Sequence, residues 1–101
     1  MAVVHRSPQA EADLEAILDG LDQVDPKVAA RYALDFEQKA DALARSPEMG
    51  RARPEIAPDL RSTLVRPYVI FYQVAGDVVQ IVRILHGSQD LKRIMQAEGE
   101  G

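Results

Sequence analysis

An α+β fold, with an antiparallel hairpin of helices packed on one face of a mainly antiparallel sheet, follows from three features of the chain. Apolar residues recur at helical spacing through the first half, from Ala10 to Leu43. From Leu60 onward the period falls to two, and β-branched and aromatic residues are enriched. A stretch with three prolines and one glycine, residues 46–59, separates the two regimes. Helices grouped ahead of a strand meander are the α+β pattern. The expected order is β-α-α-β-β-β with a short C-terminal helix, in a single domain covering residues 1–101.

Each element has its own signal. Ala2–His5 is a short apolar start that reads as a strand. Ser7-Pro8 supplies an N-cap followed by proline at the first helical position. The capping box is incomplete, because Glu11 falls one residue late for the reciprocal bond. Ala10, Leu14, Ile17, Leu18 and Leu21 then mark an amphipathic helix over 8–23. Asp25-Pro26 repeats the start signal at once. Ala29, Tyr32, Ala33, Phe36, Ala40 and Leu43 carry a second helix to Arg45, and so short a connection makes the two helices an antiparallel hairpin. Ser46-Pro47 ends it, and residues 46–59 read as an ordered surface loop. "LRSTLV" and "YVIFYQVA" are strands punctuated by Arg66-Pro67. Gly76-Asp77 is a tight turn into "VVQIVRIL", which makes the last two strands a hairpin. Ser88 is placed to cap a final helix through "QDLKRIMQ", and "AEGEG" is expected to fray.

Composition narrows the function. With 101 residues, 47% hydrophobic and 28% charged, the chain has the balance of a globular domain rather than a disordered segment. It has no cysteine, which removes thiolate metal sites, thiol catalysis and disulfides. No apolar run approaches the ~20 residues of a membrane span, and the N-terminus lacks the apolar core of a secretion signal. The expectation is a soluble, cytoplasmic protein without a membrane partner.

The net charge of −4 is unevenly spread. Residues 1–50 hold five Lys/Arg against ten Asp/Glu, and residues 51–101 hold seven against six. Arg51, Arg53, Arg61 and Arg66 face only Glu55 and Asp59 within their own stretch. An acidic chain is a poor general binder of nucleic acid, but a local arginine cluster suits an acidic peptide.

No pattern of cofactor chemistry is present. His5 and His86 are far apart and lack spaced carboxylates, so no metal is expected. There is no Gly-rich phosphate loop, and Ser62 and Ser88 lack the strand–turn–helix context of an activated serine. The acidic residues of the helices read as a solvated face.

Arg83 lies within the apolar strand 78–85. Simple alternation puts Val79, Ile81, Arg83 and Leu85 on one face, and Val78, Val82 and Ile84 on the other. Burying a lone guanidinium is unfavourable, so the helix-covered face is assigned to Val78, Val82 and Ile84. Arg83 is then expected on the open face, its head reaching water or a carboxylate such as Asp59 or Asp90. Arg61, on the open face of its own strand, would join it in a two-arginine patch suited to a carboxylate or phosphate. His86 is expected to bond to the adjoining turn, with Gly87 permitting a positive φ or a close approach. Tyr68 and Tyr72 share one strand face and read as half-buried packing.

Three strings carry a resemblance to a known family: "MGRARPEI" entering the sheet, "YVIFYQV" at its centre and "IVRILHGSQDL" at its end. Together with "SPQAEADLEAI" and the helical hairpin, they make nearly the whole chain similar to the ParE toxins of bacterial type II toxin–antitoxin systems, within the RelE/ParE superfamily. The resemblance implies a compact α+β fold, a ParD-like antitoxin as partner, and DNA gyrase as the target, with no cofactor and no sequence-specific nucleic-acid binding by the toxin alone. It implies antitoxin binding through Arg51, Arg53, Arg61 and Arg66, and target binding through the segment holding Arg83, His86, Ser88 and Asp90. The RelE-type branch of the superfamily instead cuts mRNA on the ribosome. That chemistry needs a base, an acid and cations, for which Arg61, Arg83 and His86 are the alternative catalytic set. The residues after His86 include no tyrosine, which places the non-catalytic gyrase inhibitor first and the endonuclease second. A copy that has kept antitoxin binding and lost toxicity is the third reading.

Overall fold

The computed structural model describes residues 1–100; the side chains of residues 98–100 and all of Gly101 lie outside the described residues. The elements are β1 (Val3–Arg6), α1 (Pro8–Val24), α2 (Pro26–Arg45), β2 (Arg51–Ala52), β3 (Leu60–Val65), β4 (Tyr68–Ala75), β5 (Val78–His86) and α3 (Leu91–Glu100). They form one five-stranded sheet in the order β1-β5-β4-β3-β2. Every neighbouring pair is antiparallel except β1 with β5, which is parallel. The α+β class and the helical hairpin are as the sequence predicts. The expected fraying of "AEGEG" concerns residues 97–101, most of whose side chains fall outside the described set.

The helical hairpin is closed by shared caps. The Ser7 side chain accepts the Ala10 amide at 3.1 Å and so starts α1. Asp25 serves both helices, donating its own amide to the Leu21 carbonyl of α1 and accepting the Lys27 amide of α2 on its side chain at 3.0 Å. One residue therefore makes the connection, and the helices are bound to pack side by side. Their apolar stripes bury Ala10, Phe36 and Leu43 against Val65, Ile70, Tyr72, Val79, Ile81 and Ile84 of the sheet. Ala33, by contrast, is exposed.

Four features differ from the sequence reading, one of them the two-residue strand β2 inside the expected loop 46–59. The sheet face expected to be open is covered: Met95, with Ile94 and Leu91 of α3, packs with Ile56 and Ala57 over Leu60, Val69, Phe71 and Leu85. The cap of α3 is Asp90, whose side chain accepts the Arg93 amide at 3.3 Å; Ser88 does not cap it. A β-bulge also interrupts β4 and β5, where Phe71 opposes Arg83 but Tyr72 opposes Ile81. The extra residue changes the phase of the alternation. Val79 and Ile81 therefore join Ile84 on the helix side, while Val82 turns to the α3 side with Leu85. The assignment of Val82 to the helix face, and of Val79 and Ile81 away from it, assumed an uninterrupted strand.

Within the loop 46–59 the chain makes β2, antiparallel to β3, with Arg51 opposite Ser62 and Ala52 opposite Arg61. A clasp holds it. Tyr72 is fully buried, and its hydroxyl accepts the Gly50 amide at 2.8 Å. The Arg61 guanidinium donates to the carbonyls of Gly50 at 2.8 Å and Glu48 at 3.2 Å. A Cβ on Gly50 would overlap the Tyr72 hydroxyl and approach the Ser62 carbonyl to 2.7 Å, so only glycine fits. Gly50→Ala is expected to destabilise the fold by about 1–3 kcal/mol through overpacking. Tyr72→Phe is expected to lose about 1–2 kcal/mol by stranding the Gly50 amide, both read from urea unfolding.

Burial pushes the Tyr72 hydroxyl above its ordinary pKa, against the opposing pull of the Gly50 amide and the nearby Arg61 charge. A group whose folded pKa is raised contributes stability that is intact below its unfolded value, about 10 for tyrosine, and is lost as pH rises through the folded value. Tyr68 is shifted the same way, first by burial and then by Tyr32. Wild-type stability should therefore hold up to about pH 9 and fall as pH rises through about 10 and beyond in urea unfolding, and Tyr72→Phe should show a smaller fall.

Candidate functional site

β1 ends at Arg6, opposite Ile81, but β5 runs on to His86. Past that point, among the described residues, the β5 edge has no strand beside it, and unpaired buried amides and carbonyls would be unfavourable. Side chains from the start of α1 take the missing strand's place. Ser7 donates its hydroxyl to the Val82 carbonyl at 2.9 Å, and its amide to the Ile81 carbonyl at 2.9 Å. Asp13 accepts the Ile84 amide at 2.9 Å.

The same Asp13 carboxylate binds Arg83 in a fork, Nε to Oδ2 at 2.8 Å and Nη2 to Oδ1 at 3.0 Å. The two side chains are only 14% and 15% exposed. Arg83 is thus not displayed on an open sheet face. Its carboxylate partner is Asp13, not Asp59 or Asp90, and Asp13 is no part of a solvated helix face. The signal was present in α1: Asp13 falls three residues after Ala10 and four before Ile17, on the buried stripe itself.

Arg61 and Arg83 are not brought together. They lie on strands separated by β4, and their guanidinium groups are held by different elements, the 48–50 segment and α1. The expected two-arginine patch does not form.

The strand end holds His86, Ser88 and Asp90, all exposed. The His86 amide donates to the Gln89 side chain at 2.8 Å, and the ring Nδ1 lies 3.1 Å from the Ser88 amide and 2.7 Å from the Ser88 hydroxyl. Gly87 has no positive φ, but it permits the close approach expected of it. Its amide donates to the Pro67 carbonyl at 2.8 Å, and a Cβ there would stand 3.0 Å from that oxygen. The Tyr68 ring meets His86 edge-to-face at 5.5 Å and Tyr32 at 5.7 Å. This aromatic row escaped the sequence reading for a physical reason. Counting back from the Gly76-Asp77 turn without a bulge sets Tyr68 against Leu85, whereas the bulge sets it against His86.

The arginine segment divides. Arg53 donates to the Ser62 hydroxyl at 2.8 Å, pairs with Glu55 at 3.4 Å and lies over the Phe71 ring. The Glu55 carboxyl is held below the usual range by its own backbone hydrogen bond and by Arg53 and Arg51. Arg51 and Arg66 are exposed. Arg66 borders a groove of about 800 Å³ between α2 and the end of β3, lined also by Val28, Arg31, Tyr32, Asp35, Lys39 and Leu64. Among the described residues no cluster of His, Asp and Glu could hold a metal ion, and no helix is long and apolar enough to cross a membrane.

This fold and this surface, with a two-helix hairpin on a five-stranded sheet and an arginine-bearing edge, define a small α+β domain. Residues 4–91 match the family described as ParE toxin of type II toxin-antitoxin system, parDE. The chain is 44% identical to Toxin RelE2 of Caulobacter vibrioides, over 88% of this chain and 99% of that one. It is 35% identical to Toxin ParE1 of Mycobacterium tuberculosis, over 86% of this chain and 91% of that one. A solved structure titled "Chromosomal ParDE TA system from P. aeruginosa" superposes with a TM-score of 0.70 at 30% identity, covering 85% of this chain and 96% of that one. The chain belongs to the ParE toxin family, and it is a type II toxin–antitoxin toxin of the ParE/RelE kind.

Asp13→Ala should destabilise the fold by about 2–3 kcal/mol, because it strands both the Arg83 charge and the Ile84 amide. Asp13→Asn, which can still accept the amide, should lose roughly half as much in the same urea unfolding experiment.

Proposed function

We propose that this toxin acts by binding DNA gyrase rather than by cutting RNA, and that a ParD-like antitoxin neutralises it in the cytoplasm. The observation that supports this most is the separation of Arg61, Arg83 and His86. A phosphorane-forming site needs its base, acid and cations converging on one reacting group. Here Arg83 is already neutralised in a fork by Asp13, and Arg61 is tied to main-chain carbonyls of the β2 segment. The exposed strand end, with His86, Ser88 and Asp90, is left as the target-binding edge.

The endonuclease reading keeps one observation in its favour. Tyr68 stands beside His86, so a tyrosine is near the histidine after all, although it comes from the neighbouring strand. Purified toxin should inhibit gyrase supercoiling and raise the yield of cleaved DNA, without cutting mRNA on programmed ribosomes. Ribosome-dependent mRNA cleavage with unaffected supercoiling would reverse the order of the two readings.

For the antitoxin, an acidic amphipathic segment fits the α2–β3 groove by charge, since Arg31, Lys39 and Arg66 outnumber Asp35 there. Arg51 and Arg66 supply exposed charge, while Arg53 and Arg61 are committed to holding the β2 segment in shape. Replacing Arg51 and Arg66 together by Glu should weaken antitoxin binding by roughly tenfold or more in calorimetric titration at low salt, with a smaller effect at high salt.

A further inference from the structure

A main-chain N–H can only donate a hydrogen bond. The Ser88 amide is directed at Nδ1 of His86 at 3.1 Å, so that nitrogen must present its lone pair. With Nδ1 an acceptor, the Ser88 hydroxyl at 2.7 Å donates to it as well. A neutral imidazole carries one proton, and the only place left for it is Nε2.

The ring has little freedom to escape this arrangement. The Gln89 amide donates to the His86 carbonyl at 3.0 Å, and the Gln89 side chain accepts the His86 amide at 2.8 Å, closing the turn on both sides. Gly87 seats that turn on the Pro67 carbonyl. The Tyr68 ring, nearly perpendicular at 87°, stands against the imidazole. His86 is nevertheless exposed, and its Nε2 has no partner among the described residues.

We infer that His86 is locked in the Nε2–H tautomer and serves this toxin as an outward hydrogen-bond donor to an acceptor oxygen on its protein target, a main-chain carbonyl or a carboxylate. A general base must offer a free lone pair to the proton it removes. The lone pair of neutral His86 faces into the Ser88 turn, where no 2′-hydroxyl can reach it without breaking two hydrogen bonds. The residue at the end of β5 is thereby suited to recognition and unsuited to starting RNA cleavage. The donor role rests on the gyrase-binding reading; the tautomer does not.

Two measurements test it. In the whole chain with ¹⁵N-labelled histidine, long-range ¹H–¹⁵N correlation near pH 8 should show His86 as a single Nε2–H tautomer. The Nδ1–H tautomer, or two tautomers exchanging as in a free imidazole, overturns the inference. In gyrase inhibition, His86→Gln places an amide N–H near the position of Nε2 and should stay within roughly threefold of wild type. His86→Phe keeps the ring against Tyr68 but has no donor, and should be weaker by roughly tenfold. A Phe variant equal to wild type, or a Gln variant as weak as Phe, overturns the donor role. If the unmodified chain does not inhibit gyrase, the target assignment fails, and the tautomer measurement still decides whether His86 can act as a base.

Discussion

The carboxylate of Asp13 is the point on which the arrangement of helix and sheet depends. Parallel pairing with β1 covers only the first part of β5, and the strand continues for five residues beyond it. An exposed strand edge invites pairing with another chain. Asp13 closes that edge by taking the Ile84 amide, and it fixes α1 to the sheet by gripping Arg83 at the same time. Because both partners are mostly shielded from water, the charge-assisted bonds lose less to competition with solvent than a surface pair would. The guanidinium that chain position suggests for target chemistry is therefore a structural tie between α1 and β5.

A second tie does comparable work at the far edge of the sheet. Gly50, Tyr72 and Arg61 hold the short β2 strand against β3 with bonds to main-chain atoms. The two ties share a logic: each uses a polar group carried on the sheet to anchor a segment that pairing alone would leave loose. Together they leave two polar stretches exposed. One is the arginine-bearing side running from β2 to the α2–β3 groove, and the other is the His86–Asp90 turn at the end of β5.

The bulge between β4 and β5 connects packing to the candidate site. One inserted residue lets Ile81 and Ile84 both face the helices, which a regular strand forbids, and lets Val82 and Leu85 both face α3. The same insertion brings Tyr68 opposite His86, so the aromatic wall of the strand-end turn is a consequence of how the core is filled. Helix packing and the shape of the strand-end turn are thus set by one irregularity.

The class of fold, the caps at Ser7 and Asp25, the Gly76-Asp77 turn and the faces of β4 were legible in the chain, because each depends on residues close together in sequence. The family resemblance in "MGRARPEI" and "IVRILHGSQDL" was legible too, though not the reason for it. Gly50 is required because the Tyr72 hydroxyl, 22 residues away in sequence, fills the space a side chain would need. The partner of Arg83 lies 70 residues away, so no local pattern names it, even though Asp13 sits on the apolar stripe of its helix. A bulge leaves little mark among the Val, Ile and Leu residues around Arg83, since each of them is apolar enough for either face. What the sequence determined by itself was therefore the main elements and their order, though not the two-residue β2, because short-range sterics and periodicity control the former while pairing with β3 makes the latter. Only the tertiary structure decided which charge meets which, which face Arg83 leaves, and how His86 is held, because burial and hydrogen bonding between distant segments set those outcomes.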